Sequence, residues 1–78
     1  RDSAYPGYLE YLTRTYSELS TSDLKLCTFL RMNLNTKEIA DIMGLSVRSV
    51  ESRRYRLRKK INLSKDQDLV SFLIKLEY

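Results

Sequence analysis

A three-residue gap between two helix signals constrains the fold of this chain more than any other feature. The first signal begins at Asn35, a good N-cap, and continues through Glu38 into an apolar stretch. The second begins at Ser46, which is also a good N-cap. Gly44 stands between them, where a left-handed residue ends a helix and reverses the backbone. The spacing predicts a helix-turn-helix, with Leu45 filling the corner.

Two more helix signals precede this turn. Apolar residues recur at helical spacing over residues 8–18, which predicts an N-terminal helix. Tyrosines 5, 8, 11 and 16 share this spacing, so we expect them to pack against the rest of the domain. Ser20 and Asp23 form a capping-box pattern, which predicts a helix over residues 21–33.

The last helix signal follows residue 63. Ser64 and Gln67 repeat the capping-box pattern ahead of the apolar residues 69–76, which predicts a helix ending near Glu77. One Pro and two Gly in 78 residues leave room only for short turns and one shared core. The predicted fold is all-α. Residues 69–76 have more consecutive apolar positions than one small core can bury. We therefore expect a homodimer through this helix.

The residue types present exclude several kinds of site. The chain has no His and a single cysteine, Cys27, which lies in an apolar helical stripe and is expected to be a buried thiol. We therefore expect no enzyme, cofactor or metal site. The mean hydropathy of -0.43 fits a chain that makes no membrane contact, and we expect a cytoplasmic protein. The absence of an initiator Met before Arg1 favours a module cut from a longer chain.

Positive charge is concentrated in one part of the sequence. Residues 46–63 contain seven Lys or Arg and one Glu, whereas the other residues contain seven basic and nine acidic ones. The net charge of +4 therefore hides a dense basic segment that follows the predicted turn. Such a segment on the second helix of a helix-turn-helix favours a polyanionic partner, most simply double-stranded DNA.

The predicted basic helix, residues 47–61, has an apolar side and a polar side. At about 100° per residue from Ser46, the side chains of Val50, Leu57 and Ile61 fall between about 20° and 60°. The opposite side, between about 180° and 240°, holds Arg48, Ser52, Tyr55 and Lys59, with Glu51 and Arg56 on its shoulders. We expect the polar side to meet DNA in the major groove.

Individual contacts follow from the chemistry of these side chains. Arg48 fits guanine edges, Ser52 either kind of edge, and Glu51 a cytosine amino group, while Tyr55 suits a base or a phosphate. Phosphate contacts, which give affinity without sequence information, are predicted for Lys37, Ser46, Arg56, Lys59 and Lys60.

Arg54 departs from the helical pattern. At about 80° it borders the apolar side, where a buried unpaired charge would be costly. We expect its stem to pack on the core and its guanidinium to reach solvent or pair with Asp23 or Glu38.

Four stretches of this sequence resemble the LuxR/GerE-type DNA-binding domain of bacterial transcription regulators. They are Asn35-Thr36-Lys37-Glu38-Ile39-Ala40, Gly44-Leu45-Ser46, Ser49-Val50 and Arg58-Lys59-Lys60-Ile61. The resemblance covers about Leu19 to Leu76 and implies a four-helix fold, with its third helix in the major groove and its fourth available for dimer contact. Residues 1–18 then form an additional linker or packing helix, and residues 19–78 form the DNA-binding domain.

The resemblance also marks where this chain differs. After the Val of the third helix the family commonly has a Lys, then a His two residues later and an aliphatic residue next; here these places hold Glu51, Arg53 and Arg54. Tyr55 matches a position that often contacts DNA in the family. The fold prediction is unaffected, but the operator sequence cannot be transferred.

The leading functional prediction is therefore sequence-specific double-stranded DNA binding by the C-terminal effector domain of a signal-responsive regulator. RNA polymerase is a further candidate partner. One alternative is a promoter-reading helix-turn-helix of the sigma-factor type. Another is a protein-interaction or dimerisation module whose basic helix binds an acidic partner.

Overall fold

Five α-helices form the regular structure of residues 5–78, the part of the chain that the computed structural model describes. They are α1 (Tyr8–Thr15), α2 (Thr21–Arg31), α3 (Thr36–Met43), α4 (Val47–Lys60) and α5 (Leu69–Lys75). No strand occurs within this range. The prediction of an all-α, four-helix domain with one additional N-terminal helix is confirmed. Residues 1–4 of the predicted N-terminal segment lie outside the described residues.

Helix α2 is the centre of the packing. It contacts α1, α4 and α5, while α3 packs chiefly on α4. The buried apolar residues come from all five helices and from the end of α4: Tyr8, Leu12, Leu26, Cys27, Leu30, Ile39, Ala40, Val50, Leu57, Ile61, Leu69 and Leu73. Because α4 packs against both α2 and α3, the core fixes which side of α4 faces outward.

Three helices end with the same backbone device. Asn33, Gly44 and Asn62 have φ angles of 63°, 68° and 60°, and each is followed by a leucine. The leucine N–H donates to the carbonyl five residues back, at 3.2 Å after α2, 2.9 Å after α3 and 3.0 Å after α4. This is the Schellman pattern, in which a left-handed residue closes the helix and the next residue is apolar. Each leucine is half-buried against the core, so each helix end is held by packing and by hydrogen bonding.

Gly44 gives a test of this device at the turn between α3 and α4. A Cβ added to Gly44 would meet nothing within 4 Å, so a substitution there is opposed only by the left-handed backbone. We expect Gly44→Ala to lower the free energy of unfolding by about 1–2 kcal/mol, measured by urea denaturation. Gly44→Asn should cost clearly less, because Asn tolerates this conformation and adopts it at residues 33 and 62. Equal losses for Ala and Asn would show that the backbone conformation is not the cause.

The predicted ends of the first two helices were too late. Helix α1 stops at Thr15 rather than Glu18, because Ser20 must adopt an extended backbone to cap α2 and the chain turns before it. Helix α2 stops at Arg31 rather than Asn33, because Asn33 is the left-handed residue that closes it. The capping boxes predicted at Ser20 and at Asn35 are both present.

The capping box predicted at Ser64 does not start the last helix, which nevertheless lies within the predicted residues 69–76. The Ser64 backbone N–H does donate to the Gln67 side chain, at 3.0 Å, but no helix follows from it. The Arg58 guanidinium instead binds the carbonyl oxygens of Ser64 and Gln67, at 2.7 and 2.8 Å, and holds this segment as a turn. Helix α5 begins at Leu69, where the Asp68 carboxylate accepts the N–H of Ser71 at 2.9 Å.

The tyrosines of the N-terminal segment pack on the domain, as predicted. Tyr8 is buried and donates its hydroxyl to the carbonyl of Cys27 at 2.9 Å. Burial raises the pKa of both side chains, that of Cys27 to about 12, so the thiol stays protonated. The Tyr78 ring lies 5.9 Å from that of Tyr8 and 6.3 Å from that of Tyr11. The first helix is thus fixed both to α2 and to the end of the described chain.

Candidate nucleic-acid interface

The apolar side of α4 is buried as the sequence predicts. Val50 and Leu57 are 0% exposed and Ile61, which follows the helix, is 3% exposed. These three residues recur at helical spacing, so burying them fixes the rotation of α4 about its own axis. The opposite side of the helix must then face solvent.

Six of the seven predicted contact residues of α4 lie on this solvent-facing side. Each of the following side chains is exposed: Arg48, Glu51, Ser52, Tyr55, Arg56 and Lys59. Tyr55 is the most exposed of the large hydrophobic residues, at 60%. A tyrosine ring exposed in this row of polar side chains suits contact with a partner, because it offers both an apolar face and a hydroxyl.

Two pairs of side chains are already associated on this face. Arg56 donates from Nη1 to the hydroxyl of Ser52 at 3.0 Å, and the Lys59 ammonium lies 5.0 Å from the centre of the Tyr55 ring. Both pairs join residues four apart, which are neighbours on a helix. Two of the four predicted base-reading residues, Ser52 and Tyr55, thus have a cation beside them, so phosphate and base contacts would be made side by side.

Two other predicted phosphate contacts lie near the helix starts. Ser46 is exposed and caps α4, accepting the N–H of Ser49 at 3.0 Å. Lys37 is exposed in the first turn of α3. Backbone N–H groups and the positive end of the helix dipole favour an anion at such a start.

Three of the seven basic residues in the dense basic segment are bound inside the domain. Arg53 donates to the Ser22 hydroxyl at 2.6 Å, Arg58 binds the two carbonyls of the following turn, and Lys60 pairs with Asp23 at 2.6 Å. The Lys60 side chain is half-buried by this contact. The prediction of a phosphate contact at Lys60 therefore needs correction, because its ammonium already has a carboxylate partner.

Arg54 makes neither of its predicted pairs. Asp23 is bound by Lys60, and Glu38 accepts the backbone N–H of Asn35 at 2.8 Å. Arg54 is half-buried and lies close enough to Asp68 to help lower the pKa of that carboxyl, after the larger effect of the Ser71 hydrogen bonds.

The Asp23 carboxylate links α2 to α4. Oδ2 accepts the Lys60 ammonium at 2.6 Å and the Ser20 backbone N–H at 2.8 Å. Burial alone would raise the pKa of Asp23, but these hydrogen bonds and the Lys60 charge outweigh it and lower the pKa. With the Arg53–Ser22 bond, the N-terminal turn of α2 holds α4 at two points. Sequence reasoning missed both.

Comparison with protein families decides what this arrangement is. The model of the family described as bacterial regulatory proteins, luxR family (GerE), matches residues 18–73. The chain belongs to this LuxR family. A search of curated proteins found no match to the chain, and neither did a search of solved structures.

The LuxR-family match covers α2, α3 and α4 and most of α5, and it leaves α1 outside. It therefore contains the whole helix-turn-helix and the exposed face of α4. Membership makes the chain the DNA-binding helix-turn-helix of a transcription regulator. The family resemblance inferred from the sequence is confirmed.

Two further features concern metal binding and membrane insertion. Residues 5–78 hold no group of three or more His, Cys, Asp or Glu side chains that could bind a metal ion. None of the described helices has the length and apolar character needed to cross a bilayer.

Proposed function

We propose that this LuxR-family domain reads a specific double-stranded DNA sequence as the effector part of a signal-responsive bacterial regulator in the cytoplasm. The proposal depends chiefly on one observation, that burial of Val50, Leu57 and Ile61 turns a continuous polar row of α4 to solvent. An α-helix presented in this way fits the major groove, where base edges carry distinct hydrogen-bonding patterns.

The proposed roles divide by chemistry. Arg48, Glu51, Ser52 and Tyr55 face the base edges, and Lys37, Ser46, Arg56 and Lys59 contact phosphates. Lys60 is left out of this interface because it is paired with Asp23. Only part of the basic segment then contributes to the salt dependence of binding.

A second copy of the domain is proposed to bind beside the first. Ile74 is exposed on α5, Val70 is half-buried on the same short helix, and Leu76 is half-buried just after it, so this end of the domain has apolar surface to offer a partner. A dimer would place two recognition helices on two half-sites, which raises affinity and specificity over a single contact. Contact with RNA polymerase remains a prediction from the sequence.

Selection from a random duplex pool, followed by fluorescence anisotropy with salt titration, tests the proposed reading. We expect the wild-type chain to enrich a family of related sites. The Ser52→Ala, Tyr55→Ala variant should lose about 1–3 kcal/mol of preference for a selected over an unrelated duplex. Lys59→Gln should weaken both duplexes alike and reduce the slope of log K against log salt by about 0.9.

Thr13→Ala, at an exposed position of α1 outside the proposed interface, serves as the control and should change neither quantity. If no sequence is enriched and the Ser52, Tyr55 variant binds every duplex as the wild type does, α4 does not read sequence. The alternative of an acidic protein partner for the basic helix would then be favoured. A requirement for RNA polymerase core would favour the sigma-factor type.

A further inference from the structure

A groove separate from the exposed polar side of α4 lies between α2 and α3. It has a volume of about 620 Å³ and is lined by Thr21, Ser22, Lys25, Phe29, Ile42, Met43, Leu45 and Arg53. The α2 residues come from one side of that helix, and Ile42 and Met43 come from the end of α3. This is within the size range of sites that bind a small ligand or a few side chains of a partner.

The groove is apolar at its centre. Phe29, Met43 and Leu45 are half-buried and pack against the core. Ile42 is 57% exposed, the most exposed aliphatic residue in the described part of the chain. An exposed aliphatic side chain beside three half-buried apolar ones is a patch that a partner would cover.

The charged residues that line the groove are both basic. Lys25 is exposed, and Arg53 is half-buried, with a buried Nε that has no hydrogen-bond partner among the described residues. No carboxylate lines the groove, and the nearby Asp23 is already paired with Lys60. Thr21 and Ser22 place the positive end of the α2 dipole at the same site. The charge therefore favours an anionic occupant.

The groove is not a continuation of the DNA-contacting row. Arg53 is about 100–160° around α4 from Arg48, Ser52, Tyr55 and Lys59, at about 100° per residue. An apolar centre is also a poor match for phosphates, which are bound by charge and hydrogen bonds. A partner that carries carboxylates next to apolar side chains would match both the apolar centre of the groove and its basic residues.

We propose that this α2–α3 groove is a docking site for an acidic amphipathic helix of another protein. The apolar residues of that helix cover Phe29, Ile42 and Met43, and its carboxylates face Lys25 and Arg53. Helices with apolar anchors at helical spacing commonly bind in grooves of this kind. The domain could then bind a protein partner through this groove while α4 is bound to DNA.

Selection of displayed random peptides about four helical turns long tests the proposal. The 78-residue chain is used with excess non-specific duplex, which occupies the basic face of α4. We expect enriched peptides to carry apolar residues at helical spacing with Asp or Glu between them. Ile42→Glu should weaken the best peptide at least about ten-fold, and Lys25→Glu about two- to five-fold. Leu9→Glu, at an exposed apolar position of α1, should have no effect.

Duplex binding by the same variants separates this site from the DNA interface. Ile42→Glu should leave duplex affinity unchanged, and Lys25→Glu should lower it no more than Lys65→Glu, which makes the same charge change in the exposed turn before α5. The proposal is overturned if no peptide is enriched, if the enriched peptides lack acidic residues, or if they bind Ile42→Glu as well as wild type. A much larger loss of duplex affinity for Lys25→Glu than for Lys65→Glu would assign the groove to DNA instead. Circular dichroism checks that each variant is folded.

Discussion

Replacing Leu57 with Ala should lower the free energy of unfolding by about 2–5 kcal/mol. Leu57 is 0% exposed and is one of the residues that orient α4. Total stabilities of about 0.05–0.15 kcal/mol per residue imply that this single change removes a large part of what holds a chain of this size together. Urea denaturation followed by circular dichroism measures the loss.

Leu9→Ala is the matched control for this prediction. Leu9 is 39% exposed on α1, so the same truncation there should change the free energy of unfolding by roughly 0.5 kcal/mol or less. A loss below about 1 kcal/mol for Leu57→Ala would mean that α4 is not held by its apolar side. Burial of Leu57 would then not explain why the polar side of α4 faces solvent.

Asp23→Ala should lower the free energy of unfolding by about 2–3 kcal/mol at neutral pH. The change removes the carboxylate that accepts from the Ser20 N–H and from Lys60. Asp66→Ala, at an exposed position of the turn before α5, should have little effect and serves as the control. The Lys60–Asp23 pair also joins the end of α4 to α2, so losing it should hold α4 less firmly. We therefore expect the Asp23→Ala variant to discriminate less between its DNA site and an unrelated duplex, at temperatures where it remains folded.

The stabilisation by Asp23 should disappear in acid. Its pKa in the folded chain is lowered from the ordinary value of 3.8. A lowered pKa means that the folded state favours the charged carboxylate, so the stabilisation is complete above the pH of the unfolded pKa. It is lost as the pH falls below about 3.8 and through the folded pKa. Urea midpoints measured across this range should converge for wild type and Asp23→Asn; a constant difference would contradict the assignment.

Local signals in the sequence were enough to predict most of the fold. Capping residues indicated the starts of α2, α3 and α4. Each capping side chain accepts a hydrogen bond from the N–H only three residues further on, so the pattern is local in the sequence. The end of α2 was predicted two residues late, although Asn33-Leu34 follows the same pattern as Gly44-Leu45. Asn62-Leu63 repeats this pattern after α4, whose end was predicted within one residue. Only the glycine was recognised as a left-handed residue. A search for Asn or Gly followed by an apolar residue would have found all three ends.

Long-range partners could not be predicted in the same way. Arg58 binds carbonyls of a later turn, where a helix starting at Ser64 was predicted. Nothing in the local sequence indicates such a contact. The paired residues Arg53 and Lys60 are different, since they lie at about 340° and 320° on the helical wheel, beside the buried side of α4. Their position there is a signal in the sequence that their charges are bound inside the domain.

The contact of Tyr78 with the first helix has a topological consequence. A Cβ placed on Gly7 would lie 3.4 Å from the Tyr78 ring, so residues far apart along the chain touch in space. The described backbone is almost a closed ring. A short linker could join residue 78 to residue 5, and the chain could then be opened in the exposed turn at residues 65–67, which interrupts none of the five helices. The order of the helices along the chain is thus separable from their arrangement around the core.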